Sequence, residues 1–198
     1  MATHTGPLSG ILVADFSRIL AGPYATMLLA DLGAEVVKVE SPAGDDTRTW
    51  SPPVREGVST YYLGVNRNKR SVALDLKDER DLTAAHELAR RADVLVENFK
   101  PGGLARFGLD YESVSATNPA VVYASISGFG RTGSLSHLPG YDLIGQAFSG
   151  MMYVTGEPDG APQATGSPIA DFAAGMATFA SIGHALFARE RTGRGQYI

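Results

Sequence analysis

Apolar positions along this chain follow two alternating rhythms: short unbroken runs, and longer stretches in which they recur along one helical face. The run Ile11-Leu12-Val13-Ala14, closed by Asp15 and Phe16, makes 10–16 a buried strand. Gly22-Pro23 opens an apolar helix over 24–32, with the proline in a first-turn position where its missing N–H removes no bond. Gly33 stops that helix and 35–39 is a second strand. This strand-helix-strand opening predicts parallel pairing with a right-handed crossover. The rhythm repeats with a strand over 71–76, an amphipathic helix over 78–91 and an uninterrupted apolar strand over 93–97. A helix near 111–116 precedes a further strand over 120–127. Such alternation predicts an α/β fold: a Rossmann-like parallel sheet with helices on both faces.

Two stretches depart from it. Residues 40–64 read as a long loop rich in Pro, Asp and Ser, of the kind that carries function or wraps a partner. After Gly128 the chain becomes glycine-rich, with helices expected over 141–149 and 171–190 and a turn cluster at Thr155-Gly156-Glu157-Pro158-Asp159-Gly160. No internal repeat or low-complexity tract is present.

Composition narrows the classes. At 198 residues, 44% hydrophobic and 19% charged, the chain suits one globular α/β domain. It has no cysteine, which removes disulfides, thiolate metal sites and cysteine nucleophiles. A net charge of −4 argues against nucleic acid as a partner, while local basic clusters suit a phosphorylated small molecule. Residues 1–7 carry neither a basic n-region nor an apolar h-region, and no run reads as membrane-spanning, so a soluble cytoplasmic protein is expected. The last residues, Tyr197-Ile198, read as entry into a strand, so the chain is expected to belong to a longer protein.

The stretch 166–175 places a carboxylate, Asp171, at the mouth of a long apolar helix beside Ala173, Ala174 and Gly175, whose small side chains leave room for a bulky ligand. Facing the positive end of the helix dipole and its unpaired N–H groups, Asp171 is expected to stay ionised. An ionised carboxylate attacks an acyl carbon without a general base. The same residue suits a plain N-cap. A nicotinamide dinucleotide is not expected: the first strand-to-helix loop has one glycine, Gly22, where the phosphate fingerprint needs three, although Glu40 sits where a ribose-binding acid would. Ala21 and Gly22 still leave room for a flat adenine or a pantetheine arm. The cluster Asn66-Arg67-Asn68-Lys69-Arg70 suits either a nucleotide phosphate or a solvated turn. At the carboxyl edge of the sheet, Asn98 offers a bidentate amide and Phe99 a stacking face, while Lys100 and Arg106 offer charge. Pro101 reads there as a helix start with free N–H groups. In Pro139-Gly140-Tyr141-Asp142, Tyr141 offers a donor for a developing oxyanion and Asp142 a cap or orienting group. The four histidines have no metal spacing, so no metal is expected; neither a Gly-x-Ser-x-Gly nor a P-loop is present.

Taken in order, 7–16, Ala21-Gly22-Pro23, 32–40, 44–48, Asn68-Lys69-Arg70-Ser71, Leu74-Asp75-Leu76-Lys77, 97–102 and Ile169-Ala170-Asp171 resemble the class III CoA-transferases, the CaiB/BaiF group. The resemblance implies that residues 1–198 form the CoA-binding Rossmann-like domain, with a nucleophile-bearing helix at 171–190 and a smaller second domain beyond Ile198. It implies an interlocked homodimer for the full-length protein. It implies CoA, as acyl-CoA substrate, and a carboxylic acid acceptor. Asp171 would be the nucleophile, passing through an aspartyl mixed anhydride and an aspartyl-CoA thioester. CoA contacts would come from Leu20, Ala21, Leu74, Asp75, Leu76, Lys77, Asn98, Phe99, Lys100, Arg106, Pro139, Gly140, Tyr141 and Asp142. An arginine that some members use after the second strand is Ser41 here. The related racemase branch has a His-Asp pair where this chain has Tyr141-Asp142, and tyrosine is a poor base near pH 7, so transfer is expected over racemisation; an inactive CoA-binding fragment is the other alternative.

Overall fold

The computed structural model describes residues 6–198; the reading of residues 1–7 as lacking a leader, and that of His4, falls partly on 1–5 and to that extent lies outside them. The chain runs through β1 (Leu12–Asp15), α1 (Ala21–Asp31), β2 (Glu35–Glu40), β3 (Val54–Arg55), β4 (Val58–Ser59), α2 (Thr60–Asn66) and β5 (Lys69–Ala73). It continues with α3 (Glu79–Arg91), β6 (Val94–Glu97), α4 (Tyr111–Thr117), β7 (Val122–Ser125), α5 (Asp142–Phe148), α6 (Ile169–Thr192) and β8 (Gln196–Tyr197). Six strands form one parallel sheet in the order β5-β2-β1-β6-β7-β8. Counted by chain position within that sheet, the order is 3-2-1-4-5-6, the doubly wound arrangement.

Successive side chains on a strand point to opposite faces, and each face here has its own core. Val13, Val94, Val96 and Val122 pack on Leu29 of α1 and Ile182 and Ala185 of α6. Between them in sequence, Ala14, Leu95 and Tyr123 pack on Ala85 and Ala89 of α3 and Val114 of α4. A register shift of one residue would exchange the two cores, so the apolar runs specify the pairing.

Several expectations need correction. The third strand of the sheet spans 69–73, not 71–76, because Lys69 is drawn inward to the buried Asp15 and pairing with β2 begins there. The long loop 40–64 contains a 3-10 turn, the β3–β4 hairpin and the start of α2, whose first turn is capped when the Tyr61 N–H donates to Ser59 Oγ. The helix expected over 24–32 starts at Ala21, and that expected over 171–190 starts at Ile169 and ends on Gly193 at φ 70°. No α-helix starts at Pro101; a short 3-10 turn follows at Ala105–Phe107, so an anion site of helix N–H groups is not formed there. One described helix, α6, is long and apolar enough by length and composition to cross a membrane, contrary to the sequence reading. It packs on α1 and the sheet through Gly175, Ile182, Ala185 and Leu186.

Candidate functional site

In a doubly wound sheet the loops leaving the two central strands diverge, and the crevice between them receives ligands. The central strands here are β1 and β6, and a cavity of about 480 Å³ opens at their carboxyl ends. Its size falls in the range of small-molecule sites. Leu20, Ala21, Asn98, Phe99, Lys100, Pro139, Gly140, Tyr141 and Asp171, all singled out in the sequence, line it together. Ile126, Gly128, Phe129, Leu138, Ile144 and Phe148 line it as well, and sequence reasoning missed them. The legible signal was Ser127-Gly128-Phe129-Gly130 directly after a strand. Gly128 and Gly140 meet backbone to backbone, so a Cβ on either would collide with the other. That close approach closes one side of the cavity.

Other predicted contacts do not reach it. Leu74 is a core residue whose N–H donates to the Glu40 carbonyl; Leu76 packs on the same core. The Asp75 N–H donates to Asp81, and Asp75 in turn accepts the Lys77 N–H. The Arg106 guanidinium lies over the Phe107 ring at 4.5 Å. These residues stand on the carboxyl edge of the sheet but outside the cavity. The Asn98 amide is engaged by protein: its Oδ1 accepts from the Arg18 N–H (2.8 Å) and its Nδ2 donates to the Arg18 carbonyl (2.7 Å). It joins the loop after β1 to the loop after β6 rather than offering a free bidentate amide.

The basic cluster is engaged too. Lys69 is buried and contacts Asp15 Oδ2, the Pro23 carbonyl and Asn66 Oδ1. Arg67 and Asn68 bind Asp31, and Arg70 binds Glu35. Glu40 accepts from Arg48, Tyr62, Ser71 and the Asp45 N–H, so no ribose-binding acid is free. Burial pushes its carboxyl up, but those donors outweigh burial and bring it down to about 2.

Asp171 lies in the first turn of α6, partly buried, on the cavity wall. It is not the N-cap; that position is Pro168, which has no side chain to cap with. The cap comes from another helix. Asp142, first residue of α5, accepts from the Ala170 N–H (2.8 Å) and the Asp171 N–H (3.3 Å), and Gln146 Nε2 donates to its other oxygen (2.6 Å). Asp142 therefore occupies the helix-dipole seat expected for Asp171. The Asp171 carboxyl is consequently pushed up rather than held down, first by burial and then by the charge of Asp142. A carboxylate raised this way is more basic and less solvated, which strengthens it as a nucleophile once ionised. Tyr61 of α2 is pushed up to about 12 by burial and by the charges of Asp171, Asp45 and Asp142, so its phenol keeps its proton. Gly175, expected to admit a ligand, serves helix packing: a Cβ there would lie 2.7 Å from the Ala21 carbonyl oxygen and 2.9 Å from Tyr24 Cδ1. Ala174 does face the cavity.

A parallel sheet with a ligand-sized cavity at its switch point and a carboxylate on the rim defines a doubly wound α/β domain with a crevice for a small molecule. The chain belongs to CoA-transferase family III, whose family model matches residues 8–198. It is 50% identical over 193 residues to a succinyl-CoA:glutarate CoA-transferase of Mus musculus, covering 97% of this chain and 44% of that protein. It is 50% identical over 199 residues to an acetyl-CoA:oxalate CoA-transferase of Acetobacter aceti, covering 100% and 51%. The crystal structure of a CAIB/BAIF family protein from Brucella suis superposes with a TM-score of 0.95 at 48% identity, covering 98% of this chain and 52% of that one. The chain spans about half the length of the curated relatives it matches.

Proposed function

We propose that this chain supplies the CoA-binding and nucleophile-bearing part of an enzyme that moves CoA from an acyl-CoA thioester to a carboxylic acid, with Asp171 as the group that carries the exchange. The observation that supports it is the position of Asp171, a carboxylate made more basic by burial and by Asp142, on the wall of the switch-point cavity. An Asp171 oxygen attacks the thioester carbonyl, the C–S bond breaks and CoA leaves as thiolate. The thiolate then attacks the aspartyl carbonyl of the mixed anhydride, releasing the donor acid and leaving an aspartyl-CoA thioester. The acceptor carboxylate attacks that thioester to form a second anhydride, and CoA thiolate takes its acyl group, returning Asp171 to the start. Both anhydrides hydrolyse in water, which suits the apolar wall of Ile126, Phe129, Ile144 and Phe148. The cavity accommodates the acyl group and pantetheine arm, with the nucleotide passing over the carboxyl edge toward Leu74, Lys77 and Arg106. The remaining length of the relatives supports a second domain in the full-length protein, and a homodimer is the expected assembly. Names of relatives support a dicarboxylate or oxalate acceptor and a short acyl donor.

Asp171→Ala in the full-length protein is expected to lower transfer by at least about a thousandfold while CoA affinity changes less than about threefold. Mass spectrometry after mixing with acyl-CoA reads the adduct directly: a CoA or acyl mass on the peptide carrying Asp171. An adduct that persists in Asp171→Ala would overturn the assignment.

A further inference from the structure

The loop joining β1 to α1 is held in an unusual way. Ile19 has φ 69°, a left-handed conformation that β-branched side chains rarely adopt. Backbone of this kind persists only where its surroundings over-determine it, and it concentrates at ligand sites. Four side chains do so here, three of them, Lys38, Asp45 and Asn98, from distant parts of the chain. The Ser17 N–H donates to Asp15 Oδ1 (3.0 Å) and its carbonyl accepts from Lys38 Nζ (2.9 Å). Both backbone groups of Arg18 are engaged by the Asn98 amide. The Ile19 N–H donates to Asp45 Oδ2 (3.3 Å).

Asp45 is itself fixed. Its Oδ2 lies 2.9 Å from Lys38 Nζ, and its Oδ1 accepts from the Thr47 N–H (3.0 Å) and hydroxyl (2.7 Å). Lys38, Asp45 and Thr47 are all buried. Asp45 does not line the cavity, whereas Arg18, Ile19, Leu20 and Ala21 do.

We infer that the buried Lys38–Asp45 pair is a positioning device for the acyl-CoA cleft: Asp45 holds the Ile19 turn left-handed and so sets the wall formed by 18–21. This rests on the CoA-transferase reading of the cavity. Without the pair, Ile19 relaxes to negative φ, and CoA binds only the fraction of molecules that re-form the turn. Apparent affinity falls by that fraction, while turnover of bound acyl-CoA is preserved. The pair acts through Ile19, so it is a positioning element and not a catalytic one.

The test uses the full-length protein with calorimetric CoA binding, acyl-CoA kinetics and hydrogen exchange of the peptide spanning 16–21. Lys38→Met/Asp45→Leu removes both charges together and leaves no orphan ion in the core. It is expected to raise the CoA Kd and acyl-CoA KM by about tenfold or more, keep kcat within about threefold, and speed exchange over 17–20. Ile19→Gly removes the strain, since glycine adopts φ 69° freely. In the Ile19→Gly background the same pair of substitutions is expected to raise Kd by less than about twofold. Thr47→Val, which takes one donor from Asp45 and leaves both charges, is the milder second variant; about a threefold rise that vanishes with Ile19→Gly is expected. Equal effects in both backgrounds, or unchanged exchange over 17–20, would overturn the positioning inference. Failure of the unsubstituted protein to bind CoA would overturn the reading of the cavity instead.

Discussion

At the scale of single residues, the site is governed by two carboxylates with unequal surroundings. Asp142 receives three donors and sits at the positive end of α6. Asp171 receives burial and the field of Asp142, and both favour its protonated form. If Asp171 is the nucleophile, as proposed, it forms as the proton leaves, so the acyl-transfer half-reaction is expected to gain rate as pH rises through this raised value. Its acidic limb is expected to lie above the ordinary carboxylate value of 3.8. Asp142→Asn removes the repelling charge and keeps an oxygen for the α6 N–H groups, so the limb is expected to move toward lower pH. A pH–rate profile of single-turnover acylation measures both; a limb that moves up or stays in place would remove the Asp142 charge from the account.

At the scale of elements, the packing of α6 on α1 sets where Asp171 lies. Gly175 is the contact at which the helices touch, and Phe172 meets Tyr24 edge-on at 5.0 Å. Gly175→Val pushes α1 away at Ala21, which is also cavity wall, so it is expected to cost about 1–3 kcal/mol of stability and weaken CoA binding together. Gly183, exposed on the same helix, has nothing near its missing Cβ, and Gly183→Ala is expected to stabilise by about 0.5–1 kcal/mol. Thermal unfolding of the two variants distinguishes the contact glycine from the free one.

At the scale of the whole molecule, buried charge makes the fold sensitive to acid. Asp15, Glu40 and Asp45 are each held below their ordinary values: burial opposes this in every case, and Lys69, Lys38, Arg48 and hydroxyl donors outweigh it. A carboxyl whose folded value is depressed stabilises the fold above its unfolded value, and that contribution is lost as pH falls through the folded one. For Glu40 the window runs from about 4.5 down to about 2. Melting temperature is expected to fall across that window, and Glu40→Gln to cost about 2 kcal/mol at pH 7 while flattening the acid dependence. Apolar side chains are also exposed at several separate places, among them Phe148 on the cavity rim and Phe187 on α6.

Alternation of apolar runs with helical faces was enough to specify the sheet, its flanking helices and its doubly wound class, because strand and helix periods are local properties of the chain. The order of motifs was enough to mark Asp171 and most of the loops that reach the cavity, since ligand-binding loops must follow strands. Only the folded chain decided which polar groups face the ligand and which are consumed by protein. Asn98 read as a ligand-binding residue and Lys69 as either a phosphate contact or part of a solvated turn; they are engaged by Arg18 and Asp15, 80 and 54 residues away in the chain. Asp142, which read as a cap or orienting group, caps α6 and adds its charge to the burial that raises Asp171. Gly175 read as room for a ligand and is room for α1. Burial, charge pairing and close approach arise between segments distant along the chain, so no local pattern carries them.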